Sequence, residues 1–253
     1  MRKILLFFSS LIIINLGFTS AYAKDVISDP EFDEILSKDI SALTVTSVAK
    51  RSQQLKDTAA AIYVITQEEL RRAGIYSIPE ALRLVPGVQV AKVSTNRWAV
   101  SARGFNSALN NKLLVLIDGR AIYTPVFSGV YWDDQSTAIN DIERIEVIRG
   151  PGASLYGANA VNGVINIITK SAEDTQGNLL SATVSDRGNG LYEARHGGKI
   201  SDNVYYRTYS QYLDSDSWYR GRAGFRMDGK AKSKDSYTFQ GDAYGGEQDA
   251  NIR

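Results

Sequence analysis

The first place where this chain could do chemistry is a glycine-rich run behind an apolar strand. Gly150-Pro-Gly152-Ala-Ser-Leu-Tyr-Gly157 follows Ile142–Ile148. A phosphate loop needs Lys-Ser/Thr after its last glycine, and here Ala158-Asn159 stands instead. A dinucleotide loop needs its third glycine three residues after the second, whereas Gly157 comes five after Gly152. These glycines read as turn formers. Asp118, Asp133 and Asp134 could form an acid pair, but Asp118 sits in a strand-ending Asp-Gly turn and no base or nucleophile accompanies it. With no cysteine and a single histidine, His196, the chain excludes disulfide frameworks, thiol nucleophiles and cysteine-zinc sites, and leaves little for a Ser-His-Asp triad. We therefore expect no catalytic residue, no metal site, no cofactor and no enzyme activity.

What is left is binding chemistry. Ala121–Trp132 (AIYTPVFSGVYW) carries Tyr123, Phe127, Tyr131 and Trp132 in a loop containing proline and glycine, and Arg97-Trp98 lies in a second loop. Aromatic rings give large contact area for little entropy, and a guanidinium suits an anionic chelate. Such loops are either a ligand surface or packing. Lys+Arg 29 against Asp+Glu 28 gives a formal charge of +1, without the clustered basic excess that nucleic acid requires.

The elements that must position these loops are short and mixed. Ile62–Ile65 reads as a strand, and Thr66 with Glu69 as a capping box opening a helix that Gly74 closes. Ser77, Pro79 and Glu80 open another, stopped by Pro86-Gly87. Val88–Val93, Leu113–Ile117, Ile142–Ile148 and Val164–Thr169 read as further strands, Leu113–Ile117 ending in the Asp118-Gly119 turn.

The two ends differ from this middle. Arg2 and Lys3, the apolar stretch Ile4–Phe18 and Ala21-Tyr22-Ala23 read as a secretory signal peptide over 1–23, too short to span about 30 Å of hydrocarbon; the alternative is a buried N-terminal helix. Its removal takes two of the 29 basic residues and leaves 27 against 28 acidic ones. After Lys170, five segments alternate apolar and polar residues. Tyr192 and Ala194 oppose Glu193 and Arg195; Tyr206 and Tyr212 oppose Arg207 and Gln211; Ala223 and Phe225 oppose Arg222 and Arg226. Strands of about ten residues in this pattern, with tyrosine near their ends, suit an outer-membrane barrel, the alternative being a soluble antiparallel meander. Tyr192, Tyr205, Tyr206, Tyr209, Tyr212 and Tyr219 fall where strands would meet the membrane interface.

Taken together, the chain resembles the N-terminal part of TonB-dependent outer-membrane receptors, the plugged-barrel transporters of Gram-negative bacteria. The resemblance rests on an ordered series: Ala61–Leu70 (AIYVITQEEL), Ser77–Leu82 through Val85–Val88, Arg103-Gly104-Phe105 and Leu116-Ile-Asp-Gly119. It continues through Ile142–Pro151 (IERIEVIRGP), Tyr156-Gly157, Asn162–Asn166 and Ile168–Lys170. The resemblance implies an α+β plug domain, a small mixed sheet with short helices, followed by the start of an antiparallel transmembrane β-barrel. The expected divisions are a signal peptide (1–23), a flexible leader with the TonB box (24–50), a plug (51–172) and first barrel strands (177–253). The box would be Leu43, Thr44, Val45, Thr46, Ser47 and Val48, a β-prone run able to add as a strand to a partner sheet; the alternative is an edge strand of the plug. By resemblance, Arg103 and Arg149 would lock the plug to acidic residues of the wall, and Arg97, Trp98, Tyr123, Phe127, Tyr131 and Trp132 would face substrate.

The implied function is TonB-dependent uptake of a ferric siderophore or similar scarce chelate, in the outer membrane after Sec export, with TonB, the substrate and outer-membrane lipid as partners. The leader is too short for a folded signalling domain. The departure is length: a barrel of this type has about 22 strands and this chain offers five candidates, so it reads as a fragment that alone does not transport. Two other readings are a stand-alone periplasmic plug-like binding module and a non-transporting surface or structural barrel protein.

Overall fold

The computed structural model describes residues 44–47, 53–54, 61–94, 97–104, 107, 112–124, 126, 129–132, 134–135, 137–150, 156–157, 159–184, 190–215, 218–231 and 235–248. The expected signal peptide, the leader up to Leu43, Val48 and Phe127 lie outside the described residues. All described residues belong to the unit Ser41–Arg253.

The chain enters through a two-residue strand β1 (Thr44–Val45), paired antiparallel with β2 (Gln53–Gln54). β3 (Ile62–Thr66) leads into helix α1 (Gln67–Arg72), where the capping box forms as the sequence indicates: Thr66 Oγ1 accepts from the Glu69 amide and the Glu69 carboxylate accepts from the Thr66 amide. Helix α2 (Ile78–Ala81) follows. Here Ser77 differs from expectation, because its hydroxyl makes no capping bond and is buried without a partner.

β4 (Val88–Lys92) and β5 (Trp98–Ala102) form a hairpin. Trp98 thus begins a strand rather than lying in a loop. β6 (Leu113–Ile117), β7 (Arg120–Ala121), β8 (Ile142–Arg149) and β9 (Gly163–Thr169) complete a five-stranded sheet with β3, in the order β3-β8-β9-β6-β7. β6 and β9 run parallel and the other pairs antiparallel, so the sheet is mixed.

This sheet is buried on both faces, which explains why β6 reads as an unbroken apolar run. Leu113, Val115 and Ile117 pack with Ile145, Val147, Ile165 and Ile167, beneath Leu70, Ile78 and Leu82 of the helical side. Leu114 and Leu116 pack on the opposite face with Ile148, Val164 and Ala160. Each large aliphatic side chain so buried contributes about 1.5–3 kcal/mol.

A second five-stranded sheet is wholly antiparallel and meanders in sequence order: β10 (Gly177–Val184), β11 (Gly190–Ser201), β12 (Val204–Ser215), β13 (Trp218–Lys230) and β14 (Ser236–Gln248). It does not close, so β10 and β14 are both edges. One face is apolar and exposed: Leu180 85%, Ile200 61%, Phe239 60%. The other carries the charged side chains and lies against the first sheet, where Arg207 is only 3% exposed. On the apolar face, Tyr192, Tyr212 and Tyr219 stack with ring centroids 6.4 and 6.2 Å apart. Tyr206 and Tyr237 mark the opposite end. On β14, Tyr237 is ten residues from Glu247, the register partner of Tyr219. At about 3.3 Å per residue and a tilt near 40°, that separates the two tyrosine levels by about 25 Å, the height of a barrel's apolar band.

Candidate functional site

Two polar constellations are built around the first sheet. One fastens it to the wall. The parallel strands β6 and β9 end side by side, and Asp118 in the turn after β6 accepts from the Thr169 amide and hydroxyl, both at 2.8 Å. Asp118 adopts φ 48, a conformation that the following Gly119 (φ 79) also takes. From β13, Arg226 reaches both Asp118 (3.2 Å) and Thr169 Oγ1 (2.7 Å). Just before β8, buried Asp141 pairs with Arg195 of β11 and faces Arg207 of β12 at 3.8 Å. Arg207 also donates to the Lys170 carbonyl at 2.8 Å. Burial and the neighbouring Arg195 and Arg207 hold the Lys170 ammonium below its ordinary pKa, against the pull of Asp141.

Further contacts extend the clamp. Arg220 meets Asp134 at 3.1 Å, the Ala172 amide donates to Asp228 at 2.6 Å, and Lys230 meets Glu173 at 2.7 Å. The clamp therefore has a polarity: guanidiniums on the wall, mostly carboxylates on the sheet domain.

The second constellation holds the chain's entry segment. Glu146, in the middle of β8, is fully buried, and its carboxylate accepts from the amides of Thr46 (3.1 and 3.2 Å) and Ser47 (2.8 Å) and from Arg144 Nε (2.8 Å). Asn166 donates to Ser47 Oγ at 2.9 Å and Tyr156 to the Ser47 carbonyl at 2.6 Å. Burial, and then the Glu146 charge, raise the Tyr156 phenol, so it stays a protonated donor. Val45 is wholly buried.

The other residues singled out in the sequence divide as follows. Arg97 is exposed at the β4–β5 connection, and Trp98 is flanked by Arg83 and Lys92, each 5.4 Å from its ring centroid. Tyr131 is half-buried. Trp132, only 7% exposed, is a core residue packed with Val130 and Ile139, and so does not present its ring as a ligand surface. Tyr123 likewise packs between both core clusters, and burial pushes its phenol up to about 12.

Arg149 donates to the Pro86 carbonyl at 3.0 Å, and Arg103 (φ 55) lies beside Gly150. Neither meets an acid among the described residues. Of the acids that bind wall arginines, Asp118 reads in the sequence as a turn residue and Asp134 as one of a possible acid pair, while sequence reasoning misses Asp141, and with it Glu146. The signal available for Glu146 is its place in the β8 run IERIEVIR, two residues before Ile148 and so on the face that carries it, where an apolar residue is expected.

A mixed-sheet domain clamped by charge to the polar face of an antiparallel, outwardly apolar wall is the construction of a plugged-barrel receptor. Residues 54–164 match the family described as TonB-dependent Receptor Plug Domain. Among curated relatives, a vitamin B12 transporter of Vibrio vulnificus is 38% identical over 141 residues, covering 54% of this chain and 22% of that protein. An iron-regulated outer membrane virulence protein of Vibrio cholerae is 33% identical over 208 residues, covering 78% of this chain and 30% of that protein. The chain thus spans under a third of the length of these relatives.

Among solved structures, the ferripyoverdine receptor of the Pseudomonas aeruginosa outer membrane superimposes with a TM-score of 0.65 at 20% identity, over 82% of this chain and 28% of that one. The siderophore receptor PirA of Acinetobacter baumannii gives 0.58 at 22% identity, over 73% and 31%. These likenesses show the fold. The chain belongs to the TonB-dependent receptor family.

Proposed function

We propose that the chain serves as the plug and first wall strands of a TonB-driven importer of the outer membrane, exported through Sec by its 1–23 signal. The cargo is a ferric siderophore or a similar scarce chelate, bound on the outer side and released to the periplasm when TonB rearranges the plug. Support comes from relatives named for iron regulation and vitamin B12 transport and from structural neighbours that are siderophore receptors. No covalent chemistry is involved.

The observation that carries this reading is the pairing of a clamped plug with a main-chain-held entry segment. Residues 43–48 act as the TonB box, an extended segment that adds to a TonB strand once exposed. On the ligand side, Arg97, Trp98 and Tyr131 are the candidates, Trp98 with two cations near its ring. Arg103 and Arg149 would meet barrel acids on strands other than these five. A stand-alone binding module has less support, because the plug's carboxylates are engaged by wall arginines and would otherwise lose their partners. A non-transporting surface barrel has less support because the curated relatives include a named transporter.

The test is a pull-down of substrate-loaded full-length receptor with the periplasmic domain of TonB. Val45→Pro removes a main-chain donor from the box and should abolish capture. Undiminished capture would remove the box assignment.

A further inference from the structure

Glu146 stands where a strand residue of this sheet should be apolar. Its register neighbours are Val64 on β3 and Asn166 on β9, and Leu114, Leu116, Ile148 and Val164 fill the same face. The carboxylate has no exposure, yet what covers it is the entry segment, whose Val45 and Ser47 are 0% and 1% exposed. The contacts have one consistent form: plug side chains hold the segment largely by its main chain. Glu146 takes the amides of Thr46 and Ser47, Tyr156 takes the carbonyl of Ser47, and β2 pairs with Thr44 and Val45.

We propose that Glu146 is the latch of the entry segment, holding the same main-chain donors that a partner strand must use, so that latch and partner exclude one another. The balance of charge makes the latch reversible. When the segment leaves, Glu146 keeps Arg144 as its partner at 2.8 Å and gains water, so no uncompensated buried charge is created. An apolar anchor would instead expose hydrophobic surface on every release. A charged acceptor makes stronger hydrogen bonds than a neutral one, and it is unusually sensitive to substitution by an isosteric amide, whose N–H₂ would face the segment's own donors.

The inference rests on the TonB-box reading for its purpose but not for its test. Residues 1–253 contain no cysteine, and a spin label at Thr44→Cys in full-length receptor, in outer membranes without substrate, reports the segment directly. The parent should give an immobile spectrum. Glu146→Gln should raise the mobile-to-immobile ratio about tenfold, the scale of losing a charge-assisted bond. Thr46→Pro, which deletes a donor from the segment and leaves the plug sheet untouched, should mobilise the label as well. An immobile label in both variants overturns the latch. A mobilised label in Glu146→Gln, which leaves the box itself intact, with no gain in capture by the TonB periplasmic domain leaves the latch standing and removes the box reading.

Discussion

Asp141→Asn keeps the shape of the side chain and removes one negative charge from the centre of the clamp. Around it lie Arg195 and Arg207, whose side chains are 13% and 4% exposed, and Lys170, whose ammonium donates to the Asn140 carbonyl at 2.9 Å. Another acid in this cluster is Glu193, 7% exposed and bonded by Gln211 at 3.1 Å and by Asn140. Removing one partner of a buried pair costs about 3–5 kcal/mol. Glu193 remains to offset part of the excess positive charge, so the lower end applies, about 3 kcal/mol or two decades in an opening equilibrium. Hydrogen exchange on the full-length receptor reads this directly. The Ala172 amide of the plug donates to the Asp228 carboxylate of the wall at 2.6 Å, a bond that breaks when the plug edge parts from the wall. That amide should exchange about 100-fold faster in Asp141→Asn. Adding Arg195→Gln restores the charge balance and should recover about tenfold of that loss. Exchange unchanged in the single variant, or additive losses in the double, would refute the clamp.

Two other outcomes follow from the wall and the hairpin. A Cβ added at Gly197 would run into the backbone carbonyl of Thr175, which cannot swing aside, so Gly197→Ala should lower the yield of folded barrel, whereas Gly229→Ala, facing only the half-exposed ring end of Tyr237, should not; normal folding of Gly197→Ala would show that Thr175 is not held there. Trp98→Ala deletes the ring between Arg83 and Lys92 and should weaken substrate binding about tenfold while leaving TonB capture of the substrate-free receptor unchanged; unaltered substrate affinity would take Trp98 off the ligand face.

The elements legible in the sequence are those where one local signal dominates. The Thr66–Glu69 box, the apolar run of β6 and the period-two alternation of β11 to β13 each point to a single structure, and each forms. β5 escaped because Trp98-Ala-Val-Ser-Ala102 is rich in small residues with weak strand preference, and its pairing with β4 is what makes it a strand. The clamp was illegible for a different reason. Arg226 and Asp118 are 108 residues apart and Arg220 and Asp134 are 86 apart, so no spacing rule connects them. Family resemblance suggested plug arginines as the lock; among the described residues the charge pairs run the other way. Trp132 shows the limit of residue type alone, since an aromatic in a loop serves packing as readily as recognition.

That direction of charge decides what each surface becomes when the two separate. Guanidiniums stay protonated at any biological pH, so a wall relieved of its plug would present Arg195, Arg207 and Arg220 to the lumen with Asp141 and Asp134 withdrawn, while Arg226 would keep Asp228 of its own strand. The passage would be cationic for as long as it stood open and close to neutral once shut. An anionic chelate would then meet an attractive lining only during the interval in which it could pass, and the returning carboxylates would displace it. The same ion pairs that seat the plug would thereby act as a transient electrostatic lining, switched on by the movement that opens the path.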